Sequence, residues 1–162
     1  MKKNILWLFV LAFSLILNAC SDDDGSLSVN FKDQPAQGQI NGEAWTIGSG
    51  TAEMSADEIS IDLFSSVSQA SSPCDIFIDD YAQAFFFIPK KVGKYDLNIS
   101  LTNFQESQTV TFFVPEGTIN IVASKGAVEI LSISETEVTG RMDVRHDSET
   151  SVNGNFTLTV CE

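Results

Sequence analysis

From Ile40 onward, apolar and polar residues alternate with a period of two in short runs that turn sequences separate. Successive side chains of a β-strand point to opposite faces, so this alternation predicts antiparallel strands with one buried and one solvated face. After residue 20, no run has the 3.6-residue apolar period of a helix. We therefore expect an all-β domain without helices, a single antiparallel β-sandwich or, alternatively, an up-and-down β-barrel. The residues expected to face the core are Ile59, Ile61 and Leu63; Tyr95, Leu97, Ile99 and Leu101; Val110, Phe112 and Val114; and Phe156, Leu158 and Val160.

Turn sequences predict where the strands reverse. Asn41 and Gly42 tolerate the positive φ angles that both central positions of a type I′ turn require, so residues 37–40 are expected to pair with residues 43–47. The last strand is expected to cover residues 155–160. Further turns are predicted at Lys125-Gly126 and Asn153-Gly154.

Two segments depart from the simple alternation. Val128 and Ile130 are out of phase with Leu131 and Ile133, which predicts a β-bulge between the two pairs. Residues 84–88 are apolar on both faces. They are expected to form a central strand that is covered on both sides, although a strand with an exposed hydrophobic row would have the same sequence.

A short apolar segment opens the chain. Lys2 and Lys3 precede an apolar run over residues 5–17, which is shorter than the roughly 18 residues that a membrane-spanning helix needs. The run ends in Leu17-Asn18-Ala19-Cys20, in which a small residue precedes a cysteine as in a bacterial lipobox. The pattern predicts a signal peptide over residues 1–19 and a lipidated Cys20. The alternative is an ordinary cysteine that follows an uncleaved anchor.

The residues after Cys20 are small and polar and show no apolar period. We expect residues 20–36 to form the lipidated cysteine and a flexible acidic tether, and residues 37–162 to form one domain. Asp22, Asp23 and Asp24 directly follow the lipobox. They are interpreted either as a solvated linker or, in addition, as an export signal.

The charge balance excludes some partners. The chain has 22 acidic and nine basic residues, a formal net charge of −13, and loss of Lys2 and Lys3 with the leader makes it more negative still. Binding to nucleic acid depends on Lys and Arg side chains that neutralise phosphate, so nucleic acid is not expected as a partner.

Two cysteines remain once Cys20 carries lipid. Cys74 and Cys161 are expected to form a disulfide, because an exported protein lies in an oxidising compartment. Two free thiols are the alternative. A metal site is disfavoured because neither cysteine has a second Cys or a His at ligand spacing. Cys161 points away from the core face of the last strand, so the bond is expected at a sheet edge or beyond the strand end.

The leader, the lipobox and the run Ser21-Asp22-Asp23-Asp24 resemble those of Bacteroidota lipoproteins, in which acidic residues after the lipidated cysteine are linked to export to the outer leaflet. Ile40-Asn41-Gly42-Glu43-Ala44-Trp45 is similar to the N-G-x-x-W opening of small β-rich lipoproteins of that phylum without an assigned function. The resemblance implies an all-β fold and an outer-membrane location, and it brings no catalytic residue. Further segments follow in the order usual for that group: Gly93-Lys94-Tyr95-Asp96-Leu97, Gly117-Thr118-Ile119-Asn120-Ile121, Val138-Thr139-Gly140 and Val152-Asn153-Gly154-Asn155-Phe156.

Patterns for catalysis are weak. His146 is the only histidine, and although Asp143, Arg145 and Asp147 are close in sequence, no nucleophile motif accompanies it, so a solvated turn residue is expected. Pairs of acidic residues could support glycoside hydrolysis, but the sequence does not give their separation. We therefore expect no enzyme, no cofactor and no metal site, with a hydrolase as the least favoured alternative.

Aromatic residues are the remaining candidates for ligand binding. Trp45 is expected in the core, because it shares the inward phase with Ile47. Tyr81 follows Asp79 and Asp80 in a predicted loop, where a binding site is expected. The predicted function is that of a surface-facing outer-membrane lipoprotein, attached to the membrane through Cys20, that binds a glycan or an envelope protein. The alternatives are a structural component of an envelope complex and, for location, the periplasmic face.

Overall fold

The computed structural model describes residues 28–65, 72–75 and 81–162, and within them the chain forms eleven β-strands. Two single turns of 3-10 helix, Pro73–Asp75 and Phe104–Glu106, are the other regular elements, and these residues contain no helix of seven residues or more. The predicted all-β class is confirmed. The strands are β1 (Gln37–Ile40), β2 (Glu43–Thr46), β3 (Ser49–Met54), β4 (Glu58–Phe64), β5 (Gln83–Pro89), β6 (Gly93–Asp96), β7 (Val110–Val114), β8 (Ile119–Ala123), β9 (Lys125–Ile133), β10 (Glu137–Arg145) and β11 (Ser151–Cys161).

All eleven strands belong to one sheet in the order β6-β9-β10-β11-β3-β4-β5-β7-β8, with the β1–β2 hairpin attached to β11. The sheet is strongly curled into a half-barrel, consistent with a sandwich or a barrel-like fold. One pairing departs from the antiparallel prediction, because β11 and β3 are parallel. The hairpin explains this: β1 runs antiparallel to β11, β2 reverses again, and β3 follows β2 in the same direction along the rest of β11.

The curl follows from the connection between β8 and β9. β8 is the last strand at one edge of the sheet and β9 is second from the other edge, yet Ser124 alone separates them. A flat sheet of this order would be about 40 Å wide at the usual strand spacing, which one residue cannot cross. Asn98 and Gln108 also join the two edges through backbone hydrogen bonds of 2.8 and 3.0 Å. The predicted turn at Lys125-Gly126 is therefore wrong, since these residues begin β9.

Inside the curl, the predicted apolar faces of β4 and β7 are buried. The Phe86 and Phe156 rings meet edge to face, with centroids 6.3 Å apart. Gly140 lies opposite Phe156 in the sheet, and a Cβ atom at Gly140 would lie only 2.4 Å from the Phe156 ring. The glycine therefore lets the ring lie flat across its neighbouring strand. Trp45 is only 3% exposed, as predicted for a core residue.

The predicted strand over Tyr95 to Leu101 is shorter in the structure. β6 ends at Asp96, and the Leu97 amide donates to the Gly126 carbonyl at 2.9 Å before the chain leaves β9. Asn98 then pairs with Gln108 in an isolated bridge, so the following residues form a loop. Ile99 and Leu101 were expected in the core and are exposed.

Local turn signals are confirmed where only neighbouring residues matter. Asn41 and Gly42 have φ angles of 54° and 81°, and they close the β1–β2 hairpin. The predicted bulge is also present: Ser132 pairs with Thr139, but the next pair joins Ile130 to Gly140, which leaves Leu131 as the extra residue. Leu131 is exposed.

Asn153-Gly154 is not a turn, because both residues lie within β11. The reversal occurs at residues 146–150, where the His146 amide donates to the Thr150 carbonyl at 2.9 Å. A Cβ atom at Gly154 would lie 2.5 Å from the Pro35 carbonyl oxygen. This glycine therefore serves a close approach of another chain segment.

That segment is the N-terminal arm, which we define as residues 30–36. The Asn30 amide donates to the Asp143 carboxylate at 2.9 Å, and the Ala36 amide donates to the Asn155 carbonyl at 2.8 Å. The Phe31 ring lies 4.6 Å from the guanidinium carbon of Arg141. Residues 30–36, which precede the predicted boundary at residue 37, are therefore hydrogen-bonded and packed against β10 and β11.

The outer face of the sheet carries a second buried cluster. Phe64 lies on this face and is fully buried, and Thr51 and Gln83 are nearly so. The 3-10 turn Pro73–Asp75 contacts β3 and β11 here. The expectation of a covered β5 is confirmed only in part, because Phe85 is half-buried and Phe87 is 52% exposed.

Candidate functional site

Most of the predicted site residues lie outside the described residues. They are Cys20, Asp22, Asp23, Asp24, Asp79 and Asp80. Tyr81 is half-buried and immediately precedes Ala82, whose carbonyl accepts a 2.9 Å hydrogen bond from the Trp45 indole. Tyr81 therefore lies beside a core contact rather than at the tip of a fully exposed loop.

His146 lies in the β10–β11 turn and is exposed, as predicted. Its Nδ1 is 2.8 Å from the Val122 carbonyl oxygen, and the neighbouring Arg145 side chain bonds to Asp143. Among the described residues, no group of three or more His, Cys, Asp and Glu side chains is placed to hold a metal ion. In the same part of the chain, no helix is long and apolar enough to cross a bilayer.

The predicted disulfide between Cys74 and Cys161 is present, with the two Cα atoms 5.7 Å apart. Cys161 ends β11 on the outer face of the sheet, and Cys74 lies in the 3-10 turn that contacts this face. The bond therefore fastens the β4–β5 connection across the outside of the sheet. Cys161 faces away from the core as expected, but the bond lies on the outer face at the last residue of an interior strand rather than at a sheet edge or beyond the strand end.

A groove of about 500 Å³ lies along one edge of β11. The β1 strand pairs with β11 from Ser151 to Asn153, and β3 pairs with it only from Thr159. The groove occupies the interval between these two pairings. Its lining residues are Asp33, Gln34 and Pro35 of the arm; Ile47, Gly48 and Ser49 before and at the start of β3; and Asn155, Phe156 and Thr157 of β11.

The groove combines hydrogen-bonding groups with apolar surface. The Asn155 side-chain amide donates to Asp33 Oδ1 at 2.9 Å, which fixes the orientation of both groups. Ser49 and Thr157 add hydroxyl groups, and Ile47 adds apolar surface. A few oriented polar groups among apolar walls are typical of small-ligand sites, and this volume lies in their usual range.

Sequence reasoning did not identify this groove. Asp33 was assigned to the tether, and Thr157 lies on the outward phase of the last strand, where only solvated residues were expected. The available signal was the polar sequence Asn153-Gly154-Asn155 inside an otherwise regular strand. Its glycine and amides accommodate the arm.

A second, smaller groove of about 260 Å³ lies beside the arm, near Asn30 and Asp143. Two of its charged groups, Asp143 and Arg145, already satisfy one another, because Asp143 accepts hydrogen bonds from Arg145 Nη2 at 2.6 Å and from Arg145 Nε at 3.1 Å. Asp143 also accepts the Asn30 amide. These contacts hold the arm in place, so the larger groove is the better ligand site.

The outer face of β4 holds a perturbed carboxyl group. Burial and, to a smaller extent, the negative charge of Glu53 together raise the pKa of Asp62 from 3.8 to about 6. The folded state therefore binds this proton more strongly than the unfolded state does. The resulting stabilisation is complete below about pH 4 and is lost as the pH rises through about 6.

Replacement of Asp62 by Asn is expected to remove this loss, because the amide cannot ionise. We expect Asp62→Asn to raise the free energy of unfolding at pH 7.5 by about 1 kcal/mol, after reduction for the group's partial exposure to solvent. Denaturant midpoints at pH 4.5 and 7.5 test this. Glu58→Gln, at an exposed position of the same strand, is the control. An equal gain in both variants would assign the effect to overall charge.

Comparison of the chain with protein-family models, with curated proteins and with solved structures finds no match.

Proposed function

We propose that this chain is a non-catalytic binding module, held at the outer membrane by a lipid on Cys20, and that the groove along β11 binds a glycan. The groove is the observation that carries the proposal. Its amide, carboxylate and hydroxyl groups suit a ligand rich in hydroxyls, and Ile47 and Pro35 offer surface for the apolar faces of sugar rings. Asp79, Asp80 and Tyr81 stay a predicted second contact.

Binding is better supported than hydrolysis. Two-carboxylate hydrolysis requires acidic side chains about 5 to 9 Å apart on either side of the scissile bond. Asp33 is the one carboxylate among the nine residues that line the groove, and it is engaged by Asn155. The lining therefore supports recognition of a ligand without cleavage.

The sequence alone supports the location. Leu17-Asn18-Ala19-Cys20 and the resemblance to Bacteroidota lipoproteins favour an outer-membrane lipoprotein, and Asp22, Asp23 and Asp24 favour export to the cell exterior. A domain on the outer surface is in direct contact with polysaccharides outside the cell. At this location a glycan-binding groove would therefore have ligands available.

Two variants test the groove. We expect the mature lipoprotein in detergent to bind a subset of a polysaccharide array, and Asn155→Ala to weaken that binding at least tenfold, because it removes a half-buried hydrogen-bonding group that also orients Asp33. Thr157→Trp should abolish binding by filling the groove, since Thr157 lines it and is exposed. Asn120→Ala, at an exposed position on β8, is the matched control.

Other outcomes would redirect the proposal. Binding that survives Asn155→Ala and Thr157→Trp but is lost on Tyr81→Ala would place the site at the predicted loop. An array without any bound polysaccharide, together with stable co-purification of another envelope protein, would favour a structural component of an envelope complex.

A further inference from the structure

The β6–β7 connection, residues 97–109, exposes three large apolar side chains. Ile99 is 45% exposed, Phe104 is 74% exposed and Leu101 is 85% exposed. Apolar residues exposed together on one loop, rather than scattered singly, indicate an interaction surface. We call these three residues the apolar tip.

Hydrogen bonds hold this connection in one shape. The Asn98–Gln108 bridge closes its base, and the Ser100 amide donates to Ser107 Oγ at 2.9 Å. At the tip, Asn103 accepts from the Gln105 amide at 3.2 Å and donates to Glu106 at 2.8 Å. The apolar tip therefore lies on a loop whose backbone is held by hydrogen bonds at its base and at its end.

The tip is also a nearly uncharged part of an acidic chain. The chain has 22 acidic residues, yet Glu106 is the only charged residue from Asn98 to Pro115. Burial of this loop in an apolar environment would therefore desolvate few charges. This surface is suited to an uncharged, apolar partner.

The path of the arm places the tip near the membrane. Asp96 pairs with Ala127, which pairs with Asp143, so Asp96 and Asp143 lie about 10 Å apart on the outer face. The Asn30 amide is bonded to Asp143. Asn30, at the start of the arm, therefore lies close to Asp96, the residue that precedes the β6–β7 connection.

The docked arm also shortens the link to the lipid. Nine residues lie between Cys20 and Asn30, and the ten Cα–Cα steps that join them extend to about 35 Å at most, with a root-mean-square span of about 17 Å expected for the predicted tether. The linker of residues 20–36 that the sequence predicted would have been longer. A lipid on Cys20 therefore keeps the outer face around Asp96 and Asp143 close to the head groups.

We propose that the apolar tip inserts into the interface of the bilayer that carries the lipid anchor and thereby makes a second membrane contact. This inference rests on the proposed lipidation of Cys20. Leu101 and Phe104 enter the boundary between head groups and acyl chains, while the acidic remainder of the domain stays in water. This second contact sets the orientation of the domain on the membrane. It therefore determines which side of the groove points away from the bilayer.

Fluorescence of the full mature protein on phosphatidylcholine vesicles tests this insertion. The indole introduced by Phe104→Trp is expected to shift to shorter wavelength on the vesicles and to be quenched at least about twofold by brominated acyl chains. Wild type, with its buried Trp45, provides the baseline. Leu131→Trp is the matched control, because Leu131 is exposed on the β9 bulge and is expected to stay in water.

The outcomes separate the tip from the anchor. Mass measurement of the N-terminal peptide shows whether Cys20 carries lipid. A lipidated, vesicle-bound protein whose Phe104→Trp indole is not quenched would overturn the insertion and leave the anchor standing. An unlipidated Cys20 would refute the anchor, and absence of quenching on added vesicles would then overturn the tip as well. Equal quenching of the indole in Leu131→Trp would also overturn the inference. So would a spectral shift that occurs without vesicles and grows with protein concentration, because it would indicate self-association through the apolar tip.

Discussion

Loss of the Cys74–Cys161 disulfide is expected to lower the free energy of unfolding by about 4 kcal/mol. The bond closes a loop with a sequence separation of 87, and a cross-link over so long a loop removes much of the conformational entropy of the unfolded chain. It also fastens the 3-10 turn Pro73–Asp75 against β3 and β11. Chemical denaturation of the oxidised protein and of a Cys74→Ala, Cys161→Ala double variant measures the difference in midpoint.

The single variants separate the cross-link from side-chain packing. Cys74 is exposed, so its replacement by Ala removes the bond and little buried surface. We expect Cys74→Ala to be destabilised as much as the double variant, within about 0.5 kcal/mol. Oxidised protein should contain no titratable thiol at Cys74 or Cys161 after denaturation. A double variant that unfolds at the wild-type midpoint would show that the bond does not constrain the unfolded chain.

Features that depend on neighbouring residues were predictable from the sequence. The Asn41-Gly42 turn requires only two residues that accept positive φ angles, and both adopt them. The bulge at Leu131 follows from a change of phase within one strand. The disulfide was predictable by elimination once Cys20 was assigned to lipid. The turn and the bulge depend on a short segment each, and the disulfide depends on the number of cysteines in the chain.

Features that depend on distant segments were not predictable. Glycine in a strand permits either a turn or the close approach of another backbone, and at Gly154 the approaching residue is Pro35, far away in sequence. The parallel pairing of β3 with β11 depends on where the β1–β2 hairpin docks. Ile99 and Leu101 continue the alternation of β6, yet the pairing register with β9 ends at Asp96 and only the isolated Asn98–Gln108 bridge follows. These contacts between distant segments cannot be inferred from the local pattern of a single sequence.

The groove illustrates the same limit. Three segments line it, and one of them, residues 33–35, has the polar composition of a linker. Composition predicts whether a segment can build its own core, but residues 30–36 are ordered by hydrogen bonds to β10 and β11. The predicted site at Tyr81 relied on exposure in a loop, and Tyr81 is half-buried. A groove that is assembled by docking of a terminal arm leaves no local motif.

Replacement of Asp143 by Ala is expected to release the N-terminal arm and to lower the free energy of unfolding by about 2 to 3 kcal/mol. The Asp143 side chain is only 2% exposed and accepts hydrogen bonds from the Asn30 amide and from two nitrogens of Arg145. Its removal leaves the Arg145 charge, itself 34% exposed, without a partner, and it leaves the arm without its first anchoring contact. Limited digestion with trypsin measures the release, because Lys32 lies within the arm.

Two further variants identify the cause of that release. Asp96→Ala removes the exposed ion pair with Lys94, which has a 2.7 Å contact, and is expected to cost less than about 1 kcal/mol without faster cleavage at Lys32. Asp143→Asn keeps an acceptor for the Asn30 amide but loses the charge, so its cleavage rate should fall between wild type and Asp143→Ala. Unchanged cleavage in Asp143→Ala would show that other contacts suffice to hold the arm. The released arm would take Asp33 and Pro35 away from the groove and lengthen the link to Cys20. Asp143→Ala should therefore lose both the glycan binding and the membrane orientation that we propose.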